Sequence, residues 1–406
     1  MQRKIALFLL IAGAAILRLW QLGTPNSLVF DEIYYVDGAR DYLAHGVELA
    51  DGKGEFVVHP PVGKWLIASG IALFGDNPIG WRIAAALFGT LAIVLIFLIA
   101  YRLFASFNLA LLAGALTALD GLHLVMSRTA LLDIFLTFFL LAALLSLLYQ
   151  RHELAALAIG LALATKWSTL YAIVAIGIYL LIWQRRVIWR YLVIVPITYT
   201  MSWSGWFLSD AGWSRAYSDN PLTAWIHYHR EILGFHTGLT TDHPYEASPW
   251  NWLILGRPTS FFYEAPKSCG ASNCSQEILA LGTPTIWWFG LIAIAITIGY
   301  CVSRRDKRAA IILAGLAANY LPWLFFPERT TFYFYAIALQ PFLILAICYS
   351  IHLYLERPET RARRRKFVAV GVAFTAATFA YFLPIYIGSV LTYDQWSQRM
   401  WLPSWI

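Results

Sequence analysis

Two adjacent carboxylates follow the first apolar stretch of the chain. Asp31 and Glu32 lie within the segment 29–35, where aromatic residues flank them. A carboxylate at the edge of a bilayer costs free energy unless it is paired or used. An Asp held beside apolar groups has a raised pKa and can act as a general base toward a hydroxyl nucleophile. A structural interpretation is also open, in which Asp31 caps a helix and Glu32 occupies its first turn.

A histidine, two prolines and a lysine form a second motif in the same loop, His59-Pro60-Pro61-Val62-Gly63-Lys64. The prolines stiffen the approach, and a helix is expected to start near Pro61. Backbone amides at a helix start, with Lys64 in its first turn, can bind an anion. Alternatively, the motif is a structural turn and Lys64 extends to the membrane interface.

Three cations are expected at the outer ends of separate helices, namely Arg128, Lys166 and Arg329. Cations from different spans that meet at one face can assemble a phosphate site. Each cation alone is typical of an interfacial anchor. Asp133 follows Arg128 by five positions, so a same-face helical pair between these two residues is not assured.

Histidines cluster around Trp225-Ile226-His227-Tyr228-His229, with His236 and His243 further along the chain. Such a cluster raises the question of a zinc site. The sequence has no HExxH or CxxC signature beside it, so metal ligation is disfavoured. Amphipathic helices lying on the bilayer surface would place the same aromatic residues at the lipid headgroups.

Cys269 and Cys274 are the one pair among the four cysteines that is close in sequence and expected outside the membrane. They are predicted to form a local disulfide in an oxidising compartment. Cys301 and Cys348 fall in or beside apolar stretches, where a cysteine is typically a packing residue.

The composition indicates which elements must position these residues. Hydrophobic residues make up 59% of the chain and charged residues 13%, and the mean hydropathy is +0.61. A soluble domain with this composition would aggregate. The chain is therefore predicted to be an all-α polytopic membrane protein.

The net charge of +7 does not indicate a nucleic-acid partner. A nucleic-acid interface would need a basic patch on a soluble face. The basic runs at 304–308 and 361–366 instead lie directly beside hydrophobic stretches. In that position they determine topology and contact anionic lipid.

Eleven apolar windows of the sequence are candidates for membrane spans. The windows are 4–20, 80–101, 107–119, 131–149, 153–164, 168–184, 189–208, 282–302, 309–323, 331–353 and 367–389. Those at 107–119, 153–164 and 309–323 are marginal on length alone. Counting all of them from a cytoplasmic N-terminus puts more than half of the 30 Lys and Arg residues inside. The predicted topology is therefore about eleven spans with the N-terminus cytoplasmic and the C-terminus outside.

Two outside segments are too long to be simple connectors. The chain is accordingly divided into an N-terminal catalytic membrane module (1–208, including the outer loop 21–79), a second outer loop with interfacial helices (209–281) and a C-terminal membrane module (282–406). The last outside stretch, 392–406, carries three tryptophans and is expected to lie along the interface.

In their order along the chain, these motifs resemble those of the protein O-mannosyltransferases. The resemblance rests on Asp31-Glu32, the motif 59–64, Ser127-Arg128 with Leu131-Leu132-Asp133, Lys166-Trp167, and the region 227–252. It covers almost the whole chain, and the combination is far more specific than any one motif. The chain is most similar to the actinobacterial branch, because the segment 209–281 is too short for the β-trefoil domain of fungal and animal members.

The resemblance implies a GT-C type membrane glycosyltransferase that transfers mannose from polyprenyl-phosphate-mannose to Ser or Thr of an exported polypeptide. Asp31 and Glu32 match the family's acidic pair, and Asp31 would be the general base in an inverting attack on the anomeric carbon. Negative charge develops on the departing lipid phosphate. The candidates for binding this phosphate are Arg128, Lys166, Arg329 and Lys64. Further substrate-site candidates are His59, Asp133, His227 and Tyr35.

No cofactor is assigned to this reaction. Side-chain cations alone can neutralise a phosphate leaving group, and a divalent metal such as Mg²⁺ or Mn²⁺ stays an open alternative. The implied location is the plasma (inner) membrane, with the active site on the extracytoplasmic side. The implied partners are the donor lipid, the acceptor polypeptide, the bilayer and the protein-export translocon.

Two other functions stay open. A GT-C enzyme that uses another lipid-phosphate sugar, with a glycan or lipid as acceptor, would share the early acidic pair. A transporter would instead have paired charges at mid-membrane and broken helices with a repeat between its halves. The charges of this chain gather at one face, which favours an enzyme.

Overall fold

The computed structural model describes residues 1–356 and 361–406 and is predominantly helical. The helices are α1 (Gln2–Leu19), α2 (Glu32–His45), α3 (Val62–Phe74), α4 (Pro78–Phe104), α5 (Phe107–Ala118), α6 (Gly121–Met126), α7 (Asp133–Leu148), α8 (His152–Leu163), α9 (Thr169–Trp183), α10 (Ile188–Ser202), α11 (Ser204–Leu208), α12 (Pro221–Gly238), α13 (Pro284–Arg304), α14 (Lys307–Tyr320), α15 (Gln340–Leu355), α16 (Arg361–Tyr386) and α17 (Tyr393–Ser397). The strands are β1 (Leu49–Ala50), β2 (Lys53–Gly54), β3 (Thr259–Glu264), β4 (Cys274–Ala280) and β5 (Val390–Thr392). The predicted helical membrane class is confirmed, although the sequence did not indicate the strands.

Every predicted window contains a helix. In the described chain, four helical stretches are long and apolar enough by themselves to cross a bilayer, namely Pro78–Phe104, Pro284–Arg304, Lys307–Phe325 and Arg361–Tyr386. Other apolar helices are shorter. The 16 residues of α7, for example, rise only about 24 Å, against about 30 Å of hydrocarbon. The total number of spans therefore stays a prediction.

Helices approach each other closely where a glycine faces its neighbour. A Cβ atom at Gly160 of α8 would lie 2.7 Å from Cβ of Thr198 on α10. One at Gly290 of α13 would collide with Leu343 on α15. Lipid is as apolar as the helix surfaces, so there is no hydrophobic driving force between helices in a bilayer. Close packing at small residues promotes their association instead.

The first outer loop is folded onto the helix bundle. It contains α2, the β1–β2 hairpin and α3, an apolar helix that the sequence windows did not include. Helix α3 packs against both α2 and α4. Asn77 caps α4, since its side chain accepts hydrogen bonds from the N–H groups of Ile79 and Gly80. The loop therefore has a fixed position above α4.

The end of the chain is joined to the second outer loop through a small sheet. Strand β4 pairs antiparallel with β3 on one side and with β5 on the other. Trp396 and Trp405 are buried, and Nε1 of Trp396 donates to the Glu277 carboxylate at 2.5 Å. These two side chains therefore pack against protein, whereas Trp401 is exposed, and the expected placement of 392–406 along the interface stays a prediction.

Candidate active site

A cavity of about 570 Å³ lies between the first outer loop, the α8–α9 junction, α12 and the segment 323–335. Its charged and histidine side chains are Asp31, Glu48, Glu55, His59, Lys64, Lys166, His236 and Arg329. Of the predicted site residues, the cavity brings together Asp31, Tyr35, His59, Lys64, Lys166 and Arg329. In the described chain, Glu32, Arg128, Asp133 and His227 are not part of its wall.

Asp31 enters the cavity wall at the N-terminal end of α2. Phe30 before it has a φ of 46°, a left-handed backbone conformation that bulky residues rarely adopt. The Phe30 ring stacks on Phe261 with ring centroids 4.9 Å apart, which holds the turn in place. Burial raises the pKa of Asp31 to about 6, although the Lys166 charge opposes this rise. A carboxyl group with that pKa can accept a proton near neutral pH.

Glu32 is engaged in structural hydrogen bonds. Its two oxygens pair with the Arg82 guanidinium at 2.8 Å each, and they also accept from the N–H groups of Val29 and Ala130. Both charged side chains are fully buried. The acceptor sites of Glu32 are thus used in fixing the turn that carries Asp31, and its expected direct catalytic role stays a prediction.

Arg82 is a site residue that the sequence analysis missed. Besides Glu32, it donates to the carbonyl oxygens of Leu22, Pro25 and Ser27 at 3.3, 2.9 and 2.7 Å. It thus ties the connection between α1 and α2 onto α4. The available signal was an arginine at the start of an otherwise apolar span, since a charge in that position is usually paired or functional.

Lys166 and Asp133 form a buried ion pair at the α8–α9 junction. The Lys166 ammonium lies 2.9 Å from each Asp133 oxygen and 4.3 Å from the centroid of the Tyr335 ring. Burial acts to lower the pKa of Lys166, but the charge and hydrogen bonds of Asp133, together with Tyr335 and Asp31, raise the net pKa. Lys166 therefore stays charged in the cavity wall. Asp133 orients the Lys166 ammonium but does not itself line the cavity in the described chain, and its expected contact with substrate stays a prediction.

Arg329 supplies the second cation of the wall. Its Nε donates to the backbone carbonyl of His236 at 3.0 Å, and Nη1 donates to that of Thr330 at 3.0 Å. The guanidinium carbon lies 5.5 Å from the ring of Trp323. These contacts orient the guanidinium, and Nη2 has no partner within the described residues. Arg329 can therefore still donate to an anion in the cavity.

Arg128 lies outside the cavity and binds the end of α1. Its guanidinium donates to the backbone carbonyls of residues 17, 18, 20 and 21, at distances between 2.6 and 3.1 Å. These carbonyls lie at the C-terminal end of α1, where the last turn of a helix leaves its carbonyl groups unpaired. The side chain is buried outside the cavity and caps α1, so the expected phosphate-binding role of Arg128 stays a prediction that these contacts do not support.

Lys64 lines the cavity but has its charge compensated. Its ammonium bonds to Glu48, and it also donates to the backbone carbonyl of His59 at 3.1 Å. Glu48, which the sequence analysis did not consider, also accepts from the Tyr42 hydroxyl at 3.0 Å. The Lys64 ammonium thus takes part in fixing the loop, and its expected contact with phosphate stays a prediction.

His59 and His236 lie side by side in the wall, with ring centroids 5.5 Å apart. Tyr35 lies on the other side of His59 at 5.9 Å, and its hydroxyl is 3.5 Å from the Asp31 carboxylate. Burial, and the charge of Lys166 after it, lowers the pKa of His59 well below its ordinary value. His59 is therefore neutral at physiological pH.

His227 lies outside the cavity, on another face of α12. Its ring stacks on Tyr217 with centroids 3.7 Å apart, and its Nε2 lies 3.7 Å from Glu231. In the described chain His227 does not line the cavity, and its expected substrate contact stays a prediction. Within residues 1–356 and 361–406, no three His, Cys, Asp or Glu side chains converge to hold a metal ion.

Cysteines are used for structure in the second outer loop. Cys269 and Cys274 are joined in a disulfide that closes the β3–β4 connection. Cys348 is buried in α15, and Cys301 is half-buried near the end of α13.

Together these groups suit one kind of chemistry. A base with a raised pKa lies in the same wall as two cations, and apolar residues such as Leu170 and Phe326 complete the lining. A base can activate a hydroxyl group while cations stabilise an anionic leaving group. The apolar lining suits a lipid-linked substrate.

Comparisons with known proteins identify the chain. Residues 7–81 and 58–206 match two family models described as dolichyl-phosphate-mannose-protein mannosyltransferase, and residues 221–405 match the C-terminal four-transmembrane region of protein O-mannosyltransferase. The polyprenol-phosphate-mannose–protein mannosyltransferase of Corynebacterium glutamicum is 33% identical, covering 94% of this chain and 88% of that protein. Its counterpart in Mycobacterium tuberculosis is 31% identical, covering 98% and 90%.

Solved structures share the fold. The Saccharomyces cerevisiae Pmt1-Pmt2 complex bound to the sugar donor superimposes with a TM-score of 0.82 at 15% identity, over 100% of this chain and 93% of that one. ArnT from Cupriavidus metallidurans superimposes with a TM-score of 0.63 at 15% identity, over 95% and 77%. The relatives above 30% identity confirm the predicted family: this chain belongs to the protein O-mannosyltransferases, membrane-embedded glycosyltransferases of the GT-C fold.

Proposed function

We propose that this enzyme transfers mannose from polyprenyl-phosphate-mannose to Ser or Thr hydroxyls of exported polypeptides, with inversion at the anomeric carbon. The observation that carries the proposal is a single cavity that combines a carboxyl group of pKa about 6 with two cations. Relatives named for this reaction are 31–33% identical along nearly the whole chain, which supports the donor and acceptor classes.

Asp31 acts as the general base. It accepts the proton of the acceptor hydroxyl while that oxygen forms a bond to C1 of mannose. The bond between C1 and the phosphate oxygen breaks on the opposite side, and its electrons leave with the polyprenyl phosphate. Asp31 then loses the proton to water, which restores the carboxylate for the next cycle.

Lys166 and Arg329 stabilise the leaving phosphate. Two fixed cations in a partly dehydrated cavity offset the charge that develops as the C1–oxygen bond breaks. Lys166 is held by Asp133 at 2.9 Å, and Arg329 is held by two backbone carbonyls. Both side chains are therefore oriented before the donor arrives, so that little rearrangement is needed during the reaction.

The donor enters from the bilayer along α9. Leu170 and Tyr171, at the start of this helix, line the cavity. Leu170, Val174 and Ile178 follow at helical spacing and are 45%, 61% and 52% exposed in the isolated chain. A continuous apolar stripe that leads from a cavity toward the membrane interior supports the binding of a polyprenyl tail.

The active site faces the extracytoplasmic side of the plasma membrane. Basic runs flank the ends of the helices opposite the cavity, which supports this orientation through the positive-inside rule. An acceptor polypeptide would then arrive from the protein-export translocon in unfolded form, with its Ser and Thr side chains accessible.

The test is a transfer assay with purified donor and defined acceptors. Membranes containing the protein are incubated with radiolabelled polyprenyl-phosphate-mannose and a Thr-rich peptide, and a matched peptide with Ala at every Thr position is the control. We expect label on the Thr peptide alone. Label that appears in a glycan or a lipid, with none in either peptide, would instead identify another lipid-phosphate-sugar transferase.

A further inference from the structure

His59 is packed among side chains of the cavity wall. Lys64 donates to its backbone carbonyl at 3.1 Å, which fixes the backbone here. Tyr35 and His236 lie beside the imidazole, with ring centroids 5.9 and 5.5 Å away. The Nε2 atom of His236 lies 3.0 Å from the Val58 carbonyl oxygen. These contacts restrict the space in which the His59 ring can move.

The two nitrogen atoms of His59 differ. Nδ1 is buried and has no hydrogen-bond partner among the described residues. His59 nevertheless lines the cavity, so Nε2 is the nitrogen that a ligand can reach. The imidazole is neutral because it is buried beside cations. A buried N–H group without an acceptor is rarer in proteins than a buried acceptor without a donor, so we place the hydrogen on Nε2, which makes the accessible nitrogen a donor.

We infer that His59 donates a hydrogen bond from Nε2 to a hydroxyl group of the donor sugar, and that this contact makes it a specificity-determining residue. The inference rests on the proposed function, because it requires a sugar in this cavity. Tyr35 contacts Asp31 and lies beside His59. This places the imidazole on the side of the cavity where the base must meet C1.

A sugar hydroxyl suits this nitrogen better than the phosphate does. Lys166 and Arg329 already supply fixed positive charge to an anion, and a neutral imidazole adds none. A hydroxyl needs a directional neutral partner. When such a partner is buried, an analogue that lacks the hydroxyl leaves it unpaired and is rejected.

The test uses donors that differ by single hydroxyl groups. Wild type, His59→Ala and His59→Gln are assayed with polyprenyl-phosphate-mannose and with the set of monodeoxymannosyl donors, each lacking one hydroxyl. With the mannosyl donor, His59→Ala should lower kcat/KM by about 10- to 100-fold. His59→Gln, which keeps an N–H donor near the position of Nε2, should lose less.

The deciding result is a loss of sensitivity with one analogue. Wild type and His59→Ala should use one particular deoxy donor equally well, because the partner hydroxyl is already gone. The same fold-loss with every donor would overturn the inference, since a structural role or a phosphate contact acts on all of them alike. The exposed His45 provides the control, and His45→Ala should behave as wild type with each donor.

The proposed function fails in a different way. Wild-type protein that transfers no mannose to any Thr peptide overturns the proposed function and this inference together. Active wild type with a uniform loss in His59→Ala overturns the inference alone.

Discussion

Asp31 and Glu32 are neighbours in sequence but have opposite environments. Glu32 is fully paired with Arg82 and two backbone N–H groups. Asp31 has a 3.5 Å contact with the Tyr35 hydroxyl, and burial raises its pKa. Two carboxylates of similar intrinsic acidity thus have different surroundings, which suit them to different roles.

Replacing the base should abolish transfer without unfolding the protein. Asp31→Asn keeps the shape of the side chain but cannot accept the hydroxyl proton, so the transfer rate should fall by about 10² to 10⁴-fold. Asp37→Asn is the matched control, because Asp37 lies on the same helix with 65% of its side chain exposed. The rates are measured in the peptide transfer assay. Full activity of Asp31→Asn would show that another group removes the proton.

The pH dependence should report the Asp31 pKa. Since burial raises this pKa to about 6, the carboxylate form is present above that pH and is lost below it. We expect kcat/KM to be level at higher pH and to fall about tenfold per unit below pH 6. A profile that stays level down to about pH 4, the ordinary range for Asp, would contradict this assignment.

Lys166 should act on the donor more than on the fold. Lys166→Met alone leaves the Asp133 carboxylate buried without a partner, which is destabilising. The double variant Lys166→Met/Asp133→Leu removes both charges and should recover stability while donor KM or kcat stays impaired. Binding of donor and thermal inactivation in detergent are measured in parallel. If the double variant recovers full transfer, Lys166 has only a structural role.

At the scale of elements, the position of α2 depends on α4. Arg82 of α4 binds Glu32 and three carbonyls of the chain that leads into α2. This single side chain therefore provides hydrogen bonds to backbone carbonyl groups of a non-helical segment. Without Arg82 these carbonyl groups would be buried without partners. Arg82 therefore fixes the turn that carries Asp31 to α4.

Removing Arg82 should be far more damaging than removing an exposed arginine. Arg82→Met leaves Glu32 charged and buried, and the free energy of unfolding should fall by about 3–5 kcal/mol. Arg40 pairs with Asp76 at 2.9 Å, but both side chains are more than one-third exposed, and Arg40→Met should cost about 0–1 kcal/mol. Denaturant unfolding in detergent micelles measures both variants. Equal losses would mean that the buried network does not fix the loop.

At the scale of the whole molecule, the termini are predicted to lie on opposite sides of the membrane. The described chain contains a helix in each of the eleven windows, but several are shorter than the hydrocarbon core. Flanking turns and tilting can compensate for such a mismatch. Whether each helix crosses the bilayer is therefore a question for labelling experiments.

Cysteine labelling can test the orientation directly. Asp51→Cys, in the turn of the outer β1–β2 hairpin, should react with a membrane-impermeant maleimide in intact cells. Arg305→Cys, between α13 and α14, should react only after the membrane is opened. Wild type, with Cys301 and Cys348 as its free cysteines, gives the background. Labelling of both variants in intact cells would contradict the seven spans predicted between these two positions, because an odd number of spans places them on opposite sides of the membrane.

The amino-acid sequence by itself determined the membrane class and the family, and it pointed to Asp31 as the proposed general base. Each of these properties follows from short stretches of sequence: an apolar window indicates a helix in lipid, and a motif can be recognised without knowing its partners in the fold. The sequence also indicated Lys166 and Arg329, because each lies at the outer end of a helix. Neither the paired use of Glu32 nor the three-stranded sheet could be derived in this way.

Only the tertiary structure decided which polar groups stay available for substrate. Glu32 is neutralised by a residue 50 positions away, and Arg128 caps a helix about 110 positions earlier in the chain. Lys64 forms an ion pair with Glu48, whereas the motif alone indicated that Lys64 could bind an anion. Sequence spacing cannot predict such long-range pairing, because a buried charge binds whichever partner the fold brings within hydrogen-bonding distance.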